Sequence, residues 1–327
     1  GLRYNLKGCK LRRFDTDSAR TCLRNRHVLF IGDSVTRFQY TAFAHLILLG
    51  YPEPTGNKGF CIAKGGWGEF FWRTFFLESS KLLQGRELCD CYRPNKLSGA
   101  AAKQGTSENR HFSMAEYNLT VSYLPLLNPN WGMKGFWPGQ CRNASAKGMS
   151  GCSDANMTKK ALMDAAHVLT EHEFDVTLPS LPFEWSGSVG SVIRRVVSHM
   201  DVDTLIFNSG LWGDLTNEKA VKDWFEAGNE VVCPFHPPAG RCLWKRTTMQ
   251  VVCSNGGVKC PMDKQVPKYT ADALPLKVGK KTNWGVYDAA TPTAQLSQKD
   301  MVDSKHFKPY VSNELNNLLL NVICPAK

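Results

Sequence analysis

A serine and a histidine stand out in this chain because their surroundings suit nucleophilic acyl transfer. Ser34 follows the apolar run 27–31 and a Gly-Asp turn, so it lies at a predicted strand-to-helix corner, and His306 follows three residues after Asp303. A base activates a serine hydroxyl, and a carboxylate fixes the tautomer of that base. The pattern predicts Ser34 as nucleophile, His306 as base and Asp303 as the residue that orients it. Each pattern alone is also typical of plain turns.

Hydrogen-bond donors for an oxyanion are the next requirement, and a second apolar run supplies a candidate. Asn208 ends the predicted strand 204–208 and precedes Ser209 and Gly210. A side-chain amide beside a glycine is a suitable donor at the carboxyl end of a strand, and the N–H of Ser34 at the helix start is another. The alternative is a strand-end turn, which Asn and Gly both favour. Arg37, in the first helical turn, either lines the pocket floor or serves as a structural ion-pair partner.

Strands alternate with helices along the chain. The predicted strands are 27–31, 117–123 and 204–208, and the predicted helices are 35–49, 158–172, 189–200, 218–227 and 311–323. This alternation predicts an α/β fold, a three-layer α/β/α sandwich with a mostly parallel sheet. The Gly- and Cys-rich stretches around 50–112 and 229–290 are expected as disulfide-pinned insertions that frame a binding surface. A single catalytic domain over 1–327 is expected.

Composition limits the classes of partner. The chain has 327 residues, 43% of them hydrophobic, and a formal net charge of +11. A basic surface favours anionic partners such as acidic glycans or membrane surfaces, but no Lys/Arg block is dense enough to predict nucleic-acid binding. Twelve cysteines without a Cys-x-x-Cys pair indicate a disulfide framework and an oxidising compartment. The alternative is a reduced cytosolic protein.

Three glycosylation sequons agree with the cysteines. Asn118, Asn143 and Asn156 each begin an Asn-x-Ser/Thr triplet, which favours passage through the secretory pathway. Neither a signal peptide nor a membrane span is recognisable, so we expect Gly1 to follow a removed segment, and a membrane anchor outside the given chain is left open. The histidines lack ligand-like spacing, so no metal site is expected.

Five collinear blocks resemble the PC-esterase branch of the GDSL/SGNH hydrolase superfamily, which contains the plant trichome-birefringence-like polysaccharide O-acetyltransferases. The blocks are CKLRRFD at 9–15, GDSVTRFQ at 32–39, YNLTV at 117–121, DTLIFNSGLW at 203–212 and DSKHF at 303–307. There are departures, because Leu211 stands where the family usually has His, and Ser304 and Lys308 stand in the places of two family cysteines. One disulfide must therefore be arranged differently, and the plant substrates do not carry over.

The resemblance implies roles for the residues already singled out. Ser34 would take the acyl group, His306 would act as general base and then acid, and Asp303 would orient it. Asn208 and the Ser34 amide would hold the oxyanion, with a third donor expected within 56–68, for which Gly66 is the candidate beside Gly65.

The function expected from these residues is O-acyl transfer, most simply O-acetyl transfer, to hydroxyls of a glycan or polysaccharide in the Golgi lumen or outside the cell. The acyl donor is expected to be acetyl-CoA or another acetyl ester, with no bound cofactor. Two alternatives stay open. One is a carbohydrate acetylesterase with the same triad, in which water is the acceptor, and the other is a glycan-binding protein without turnover.

Overall fold

The computed structural model describes twelve stretches of the chain. They are residues 11–50, 83–84, 86–89, 109–126, 133–136, 184–211, 215–234, 241–253, 265–268, 272–297, 300–301 and 305–324. Several sequence predictions fall outside these residues: the helix at 158–172, and the roles of Gly66, Asn143, Asn156 and Asp303.

A seven-stranded sheet forms the centre of the molecule. The described strands are β1 (His27–Gly32), β2 (Glu87–Cys89), β3 (Arg110–Met114), β4 (Leu119–Pro125), β5 (Met133–Phe136), β6 (Glu184–Gly187), β7 (Thr204–Phe207), β8 (Arg241–Lys245), β9 (Gln250–Cys253), β10 (Gln265–Lys268) and β11 (Trp284–Tyr287). The central sheet has the order β11-β8-β7-β1-β4-β3-β2. The strands from β11 to β4 are parallel, and β3 and β2 add an antiparallel edge. This confirms the mostly parallel sheet.

Helices cover both faces of this sheet. They are α1 (Thr16–Leu23), α2 (Ser34–Leu49), α3 (Val189–Arg195), α4 (Glu218–Val231), α5 (Ala273–Gly279), α6 (Ala290–Ala294) and α7 (Pro309–Ile323). Alternate residues of β1 point to opposite faces, as in any strand. Val28 and Phe30 join the core formed with α1, α2 and α7, whereas Leu29 and Ile31 join the core formed with α3, α4 and α5. The α/β/α sandwich is therefore confirmed.

The first and last described segments are tied together, although they are far apart in sequence. Cys22 of α1 and Cys324, just after α7, form a disulfide across a separation of 302 residues. Asn317 and Asn321 of α7 accept hydrogen bonds from the backbone N–H groups of Phe14 and Arg12. These contacts hold α7 against the layer that contains α2, so the segment that precedes α7 is brought towards the beginning of the chain.

The expected insertion at 229–290 needs correction. This stretch contributes β8, β11 and α5 to the sandwich itself, with the Cys233–Cys242 disulfide inside it. At the other expected insertion, 50–112, β2 and the start of β3 likewise join the central sheet. The error arose because these strands are only three to five residues long and lie among Gly, Pro and Cys, which hid them from a periodicity argument. The single domain over 1–327 stays a prediction.

Helix boundaries differ slightly from those predicted. The helix predicted over 189–200 ends at Arg195 and gives way to a 3-10 turn at Val197–His199, and α1 was not predicted. Over the described stretches, no helix combines the length and the apolar character that a membrane span requires.

Candidate active site

The structure brings Ser34 and His306 together. The Nε2 atom of His306 lies 2.7 Å from the Oγ atom of Ser34, a hydrogen bond between residues 272 positions apart. Both side chains are nearly buried, with 7% of Ser34 and 8% of His306 exposed. The Phe38 ring packs edge-on against the imidazole at a centroid distance of 5.1 Å. The distance from nitrogen to oxygen suits direct proton transfer.

Ser34 owes its position to the central strand of the sheet. β1 lies between β4 and β7 in the sheet. The loops at its carboxyl end therefore lie where the chain connects to strands on opposite sides of β1. In open α/β sheets, ligands bind at this kind of switch point. Asp33 then caps α2, because its Oδ1 atom accepts hydrogen bonds from the N–H groups of Val35 and Thr36. Ser34 is therefore the first helical residue, with its own N–H free of any intrahelical acceptor.

The turn before Ser34 allows no side chain at Gly32. A Cβ atom there would lie 2.6 Å from the Oγ1 atom of Thr36 and 2.9 Å from the carbonyl oxygen of Asn208. The Tyr123 hydroxyl also contacts both turn carbonyls, at 2.9 Å from Gly32 and 3.2 Å from Asp33. Glycine and this tyrosine together fix the direction in which the nucleophile projects.

His306 is carried by a loop whose base is closed. Met301 and Phe307 form an antiparallel bridge, and the N–H of Lys308 donates to the carbonyl of Asp300 at 2.9 Å. The Asp300 carboxylate accepts from the Tyr310 hydroxyl at 2.6 Å and from Ser297. Burial, together with this carboxylate, raises the pKa of Tyr310. This anchor was not predicted from the sequence. Asp303, three residues before His306 in the sequence, lies outside the described residues.

Asn208 occupies the carboxyl end of β7, beside β1, but its amide is engaged within the protein. Its Nδ2 atom donates to the carbonyl of Lys245 at 2.8 Å and to the Thr247 hydroxyl at 3.1 Å. Its Oδ1 atom accepts from the N–H of Gly210 at 3.3 Å. An amide nitrogen has two hydrogens, so donation to an oxyanion requires the exchange of one of these bonds. The longer bond, to Thr247, is the one more easily exchanged.

Gly210 is required by the close approach of Thr247. A Cβ atom at position 210 would lie 1.6 Å from the Oγ1 atom of Thr247. That hydroxyl donates to the Asp272 carboxylate at 2.9 Å, and the Thr247 N–H donates to the second carboxylate oxygen at 2.9 Å. Burial raises the pKa of Asp272. The hydrogen bonds thus run from Asn208 through Thr247 to Asp272. Thr247 and Asp272 were not predicted from the sequence.

Arg37 lies at the base of the site. It is fully buried in the first turn of α2, and its guanidinium carbon is 5.1 Å from the centre of the Phe38 ring. Because Phe38 also contacts His306, one aromatic ring separates this cation from the imidazole. Of the catalytic and oxyanion residues expected from the sequence, Ser34, His306, Asn208 and Arg37 therefore lie around the start of α2.

Comparison with known proteins gives one informative similarity. No family model matches this chain. A protein of Oryza sativa subsp. japonica named "Probable xylan O-acetyltransferase 9" is 26% identical over an alignment of 135 residues that covers 37% of this chain. This chain spans 28% of the length of that relative. The match supports a relationship with the trichome-birefringence-like, PC-esterase group.

A buried lysine also lies beside the nucleophile turn. Lys245, the last residue of β8, is 1% exposed, and its Nζ atom donates to the Thr36 hydroxyl at 3.3 Å. Burial lowers the pKa of Lys245 to about 8, against the opposing influence of the Asp33 carboxylate. Lys245 was not predicted from the sequence either, although a lysine that directly follows the apolar Cys-Leu-Trp run of a strand is a detectable signal.

Two further expectations concern ligands and modification. Among the residues that the structure describes, no group of three or more His, Cys, Asp or Glu side chains could hold a metal ion. Asn118 is exposed in a left-handed turn with φ of 46°, and its Nδ2 atom donates to Asn25 at 3.2 Å. An exposed turn of this kind is accessible to a glycosylating enzyme, and modification of Asn118 stays a prediction.

Proposed function

We propose that this chain is an O-acyltransferase, specifically an O-acetyltransferase, that modifies hydroxyls of a glycan or polysaccharide through an acyl-Ser34 intermediate. The observation that carries the proposal is the 2.7 Å hydrogen bond between His306 and Ser34 at the start of α2. The similarity to a protein named as a xylan O-acetyltransferase supports a polysaccharide as the class of acceptor.

The first half of the reaction loads the serine. His306 takes the Ser34 proton through Nε2 while the Ser34 oxygen attacks the acetyl carbonyl carbon of the donor. The carbonyl oxygen becomes an oxyanion, which the Ser34 N–H at the positive end of α2 stabilises. The bond from the carbonyl carbon to the donor's leaving group then breaks. His306 gives its proton to that group, and acetyl-Ser34 remains.

The second half transfers the acetyl group to the glycan. A sugar hydroxyl gives its proton to His306 and attacks the carbonyl carbon of acetyl-Ser34. The ester bond to Ser34 breaks, and the proton returns from His306 to the Ser34 oxygen. Asp303 is proposed to orient the imidazole throughout, and Asn208 is proposed as an oxyanion donor once its bond to Thr247 has been exchanged.

The proposal includes a setting for this reaction. The disulfides Cys22–Cys324 and Cys233–Cys242 support an oxidising compartment, and we propose the secretory pathway, either the Golgi lumen or the extracellular space. The net charge of +11 favours an acidic polysaccharide surface over a cationic one. Acetyl-CoA or another acetyl ester is proposed as the donor.

The test compares transfer with hydrolysis. Purified protein is incubated with an acetyl donor, with and without xylo-oligosaccharides or other glycans, and both acetylated glycan and free acetate are measured. We expect acetylated glycan to exceed free acetate when acceptor is present, and Ser34→Ala to produce neither. Free acetate alone at saturating acceptor would identify an esterase. Glycan binding without turnover, unchanged in Ser34→Ala, would identify a binding protein.

A further inference from the structure

We propose that Lys245 is a positioning residue for the nucleophile, because it joins the end of β8 to the first turn of α2 and holds the corner that presents Ser34. This inference rests on the proposed function of Ser34. It assigns a role to a side chain outside the Ser-His-Asp set, on a strand far from both Ser34 and His306 in sequence.

Lys245 contacts both segments that carry the candidate site. Its ammonium donates to the Thr36 hydroxyl, and its backbone carbonyl accepts from the Nδ2 atom of Asn208 at 2.8 Å. β8 pairs in parallel with β7, and Lys245 directly follows the last paired residue, Trp244. One residue therefore connects the turn after β7, through its backbone carbonyl, to the helix after β1, through its side chain, and a substitution of the side chain removes only the contact with Thr36.

The side chain reaches the nucleophile because of the strand's alternation. Leu243 of β8 belongs to the core that includes α2, whereas Trp244 belongs to the core on the opposite face. Lys245, two residues after Leu243, therefore points to the α2 face. Because it is 1% exposed, its ammonium must find its partners among protein groups around Thr36.

The charges around this ammonium indicate how it acts. A buried ammonium is costly unless a counter-charge compensates for it. The Asp33 carboxylate acts on Lys245 in this way, and its Oδ1 atom caps α2 while its buried Oδ2 atom has no hydrogen-bond partner. The ammonium therefore interacts electrostatically with the carboxylate that accepts both capping hydrogen bonds. Lys245 thereby stabilises the capped start of α2 and, through it, the position of Ser34.

The same ammonium lies near the start of a helix, where the macrodipole opposes a cation. This opposition weakens when a negative charge forms at Ser34, because an oxyanion there attracts both the helix terminus and the ammonium. The charge of Lys245 is thus better accommodated during the reaction than before it. Its loss should lower kcat and leave KM nearly unchanged.

The charged groups that face this region come from several elements. Asp33 lies in the turn before α2, and Arg37 lies in the first turn of that helix. The others are His306 from the loop before α7, Arg246, which directly follows Lys245 in the sequence, and Asp272, which is bonded to Thr247. His306 must lose its proton before it can act as a base, and that controls the acid side of the pH profile. Loss of the Lys245 proton near pH 8 is expected to control the alkaline side.

The experiment measures kcat and KM for acetyl transfer between about pH 6 and 10. The proteins are the wild type, Lys245→Met, Lys245→Arg and, as a control, the exposed Lys219→Met at the start of α4. We expect Lys245→Met to lower kcat by about 10- to 100-fold without the alkaline decline. Lys245→Arg should recover part of kcat and retain activity at higher pH, because a guanidinium stays charged. Lys219→Met should match the wild type.

Two results would overturn the role of Lys245. One is wild-type kcat with an unchanged alkaline decline in Lys245→Met. The other, which decides the matter if Lys245→Met does not fold, is a folded Lys245→Arg variant whose profile superimposes on that of the wild type. The labelling rate of Ser34 by a fluorophosphonate probe separates this proposal from the proposed function. An unreactive wild-type Ser34 contradicts the nucleophile itself, whereas equal labelling of wild type and Lys245→Met contradicts only the role of Lys245.

Discussion

Among the residues that the structure describes, Ser34 and Ser122 are both hydrogen-bonded to histidines, but of these two Ser34 alone has the surroundings of a nucleophile. Ser34 lies at the carboxyl edge of the sheet, 2.7 Å from His306. Ser122 lies in the middle of β4, 2.7 Å from Nε2 of His27 and 2.8 Å from Nδ1 of His111. The distances are alike, so distance alone does not identify a nucleophile.

The hydrogen-bond directions in the Ser122 cluster can be deduced. His27 Nδ1 lies 2.6 Å from the carbonyl oxygen of Met200, which can only accept, so Nδ1 carries the proton and Nε2 accepts from Ser122. Ser122 must then accept from the Nδ1–H of His111. Both imidazoles are neutral, since burial lowers the pKa of His27 to about 4 and that of His111 to about 3.

Surroundings distinguish the two serines. Ser122 is fully buried within a strand, and its backbone groups belong to the sheet ladder. Ser34 begins a helix, with a free N–H beside its hydroxyl and a histidine that comes from a separate loop. The comparison teaches that a serine becomes a candidate nucleophile through the corner on which it lies, and that an equally short Ser–His bond within a sheet is structural.

The largest expected effect comes from removing each serine in turn. Ser34→Ala and His306→Ala should each lower acetyl transfer by about 10³-fold or more, with a thermal midpoint close to that of the wild type. Ser122→Ala should keep kcat within about 3-fold but lower the free energy of unfolding by about 1–3 kcal/mol, because it leaves buried imidazole nitrogens without a partner. Transfer assays and thermal unfolding measure both. Unimpaired transfer by Ser34→Ala would assign the chemistry elsewhere.

A smaller effect on rate is expected at Asn208, which has no counterpart around Ser122. Asn208→Ala should lower kcat by about 10²- to 10³-fold if its amide reaches the oxyanion. Thr247→Ser is the matched control, because it keeps the hydroxyl that bonds both Asn208 and Asp272. Steady-state kinetics of the two variants decide the question. A kcat for Asn208→Ala within about 3-fold of the wild type would restrict Asn208 to holding Gly210 and the ends of β7 and β8.

The last effect concerns acid and changes stability alone, with no change in rate. Both histidines of the Ser122 cluster have folded-state pKa values below the unfolded value of 6.5. The unfolded chain therefore binds more protons as the pH falls below about 6.5, and stability decreases by about 1.4 kcal/mol per pH unit for each histidine until the folded-state pKa is reached. Urea unfolding between pH 7 and 5 measures this slope.

A variant identifies the source of the acid sensitivity. His111→Asn places an amide nitrogen where the Nδ1 donor was and does not titrate, so it should reduce the contribution of the cluster to the slope by about half. Activity at neutral pH should be unchanged. An unaltered slope would mean that His111 does not contribute to the acid sensitivity.

Much of the site could be predicted from the sequence because its residues follow strands directly. The apolar run before Gly32 defines β1, and parallel strands end at one edge of a sheet, so Ser34 and Asn208 had to be neighbours. The position of His306 was harder to predict, because it depends on the tie between α7 and α1 rather than on any local pattern. The resemblance of five sequence blocks to the PC-esterase branch was what placed His306 beside Ser34 in the prediction.

The remaining features could not be predicted because they depend on packing. β8 and β11 are only five and four residues long and show no regular alternation of buried and exposed residues, so Lys245 and Thr247 were not recognised beside the site. Both hydrogens of the Asn208 amide are donated within the protein because the fold places the Lys245 carbonyl and the Thr247 hydroxyl nearby, which the sequence does not show. Gly210 was expected beside an oxyanion donor, and the structure shows that the Thr247 side chain lies against it.

The most direct measurement is peptide mass spectrometry of the protein after brief exposure to an acetyl donor without acceptor. We expect one acetyl group on the peptide that contains Ser34, its loss when glycan is added, and none on the peptide that contains Ser122. The Ser34→Ala variant should gain no acetyl group on the peptide that contains position 34. Acetylated glycan produced without any acetyl-Ser34, or an acetyl group on Ser122 instead, would contradict the assignment of the nucleophile.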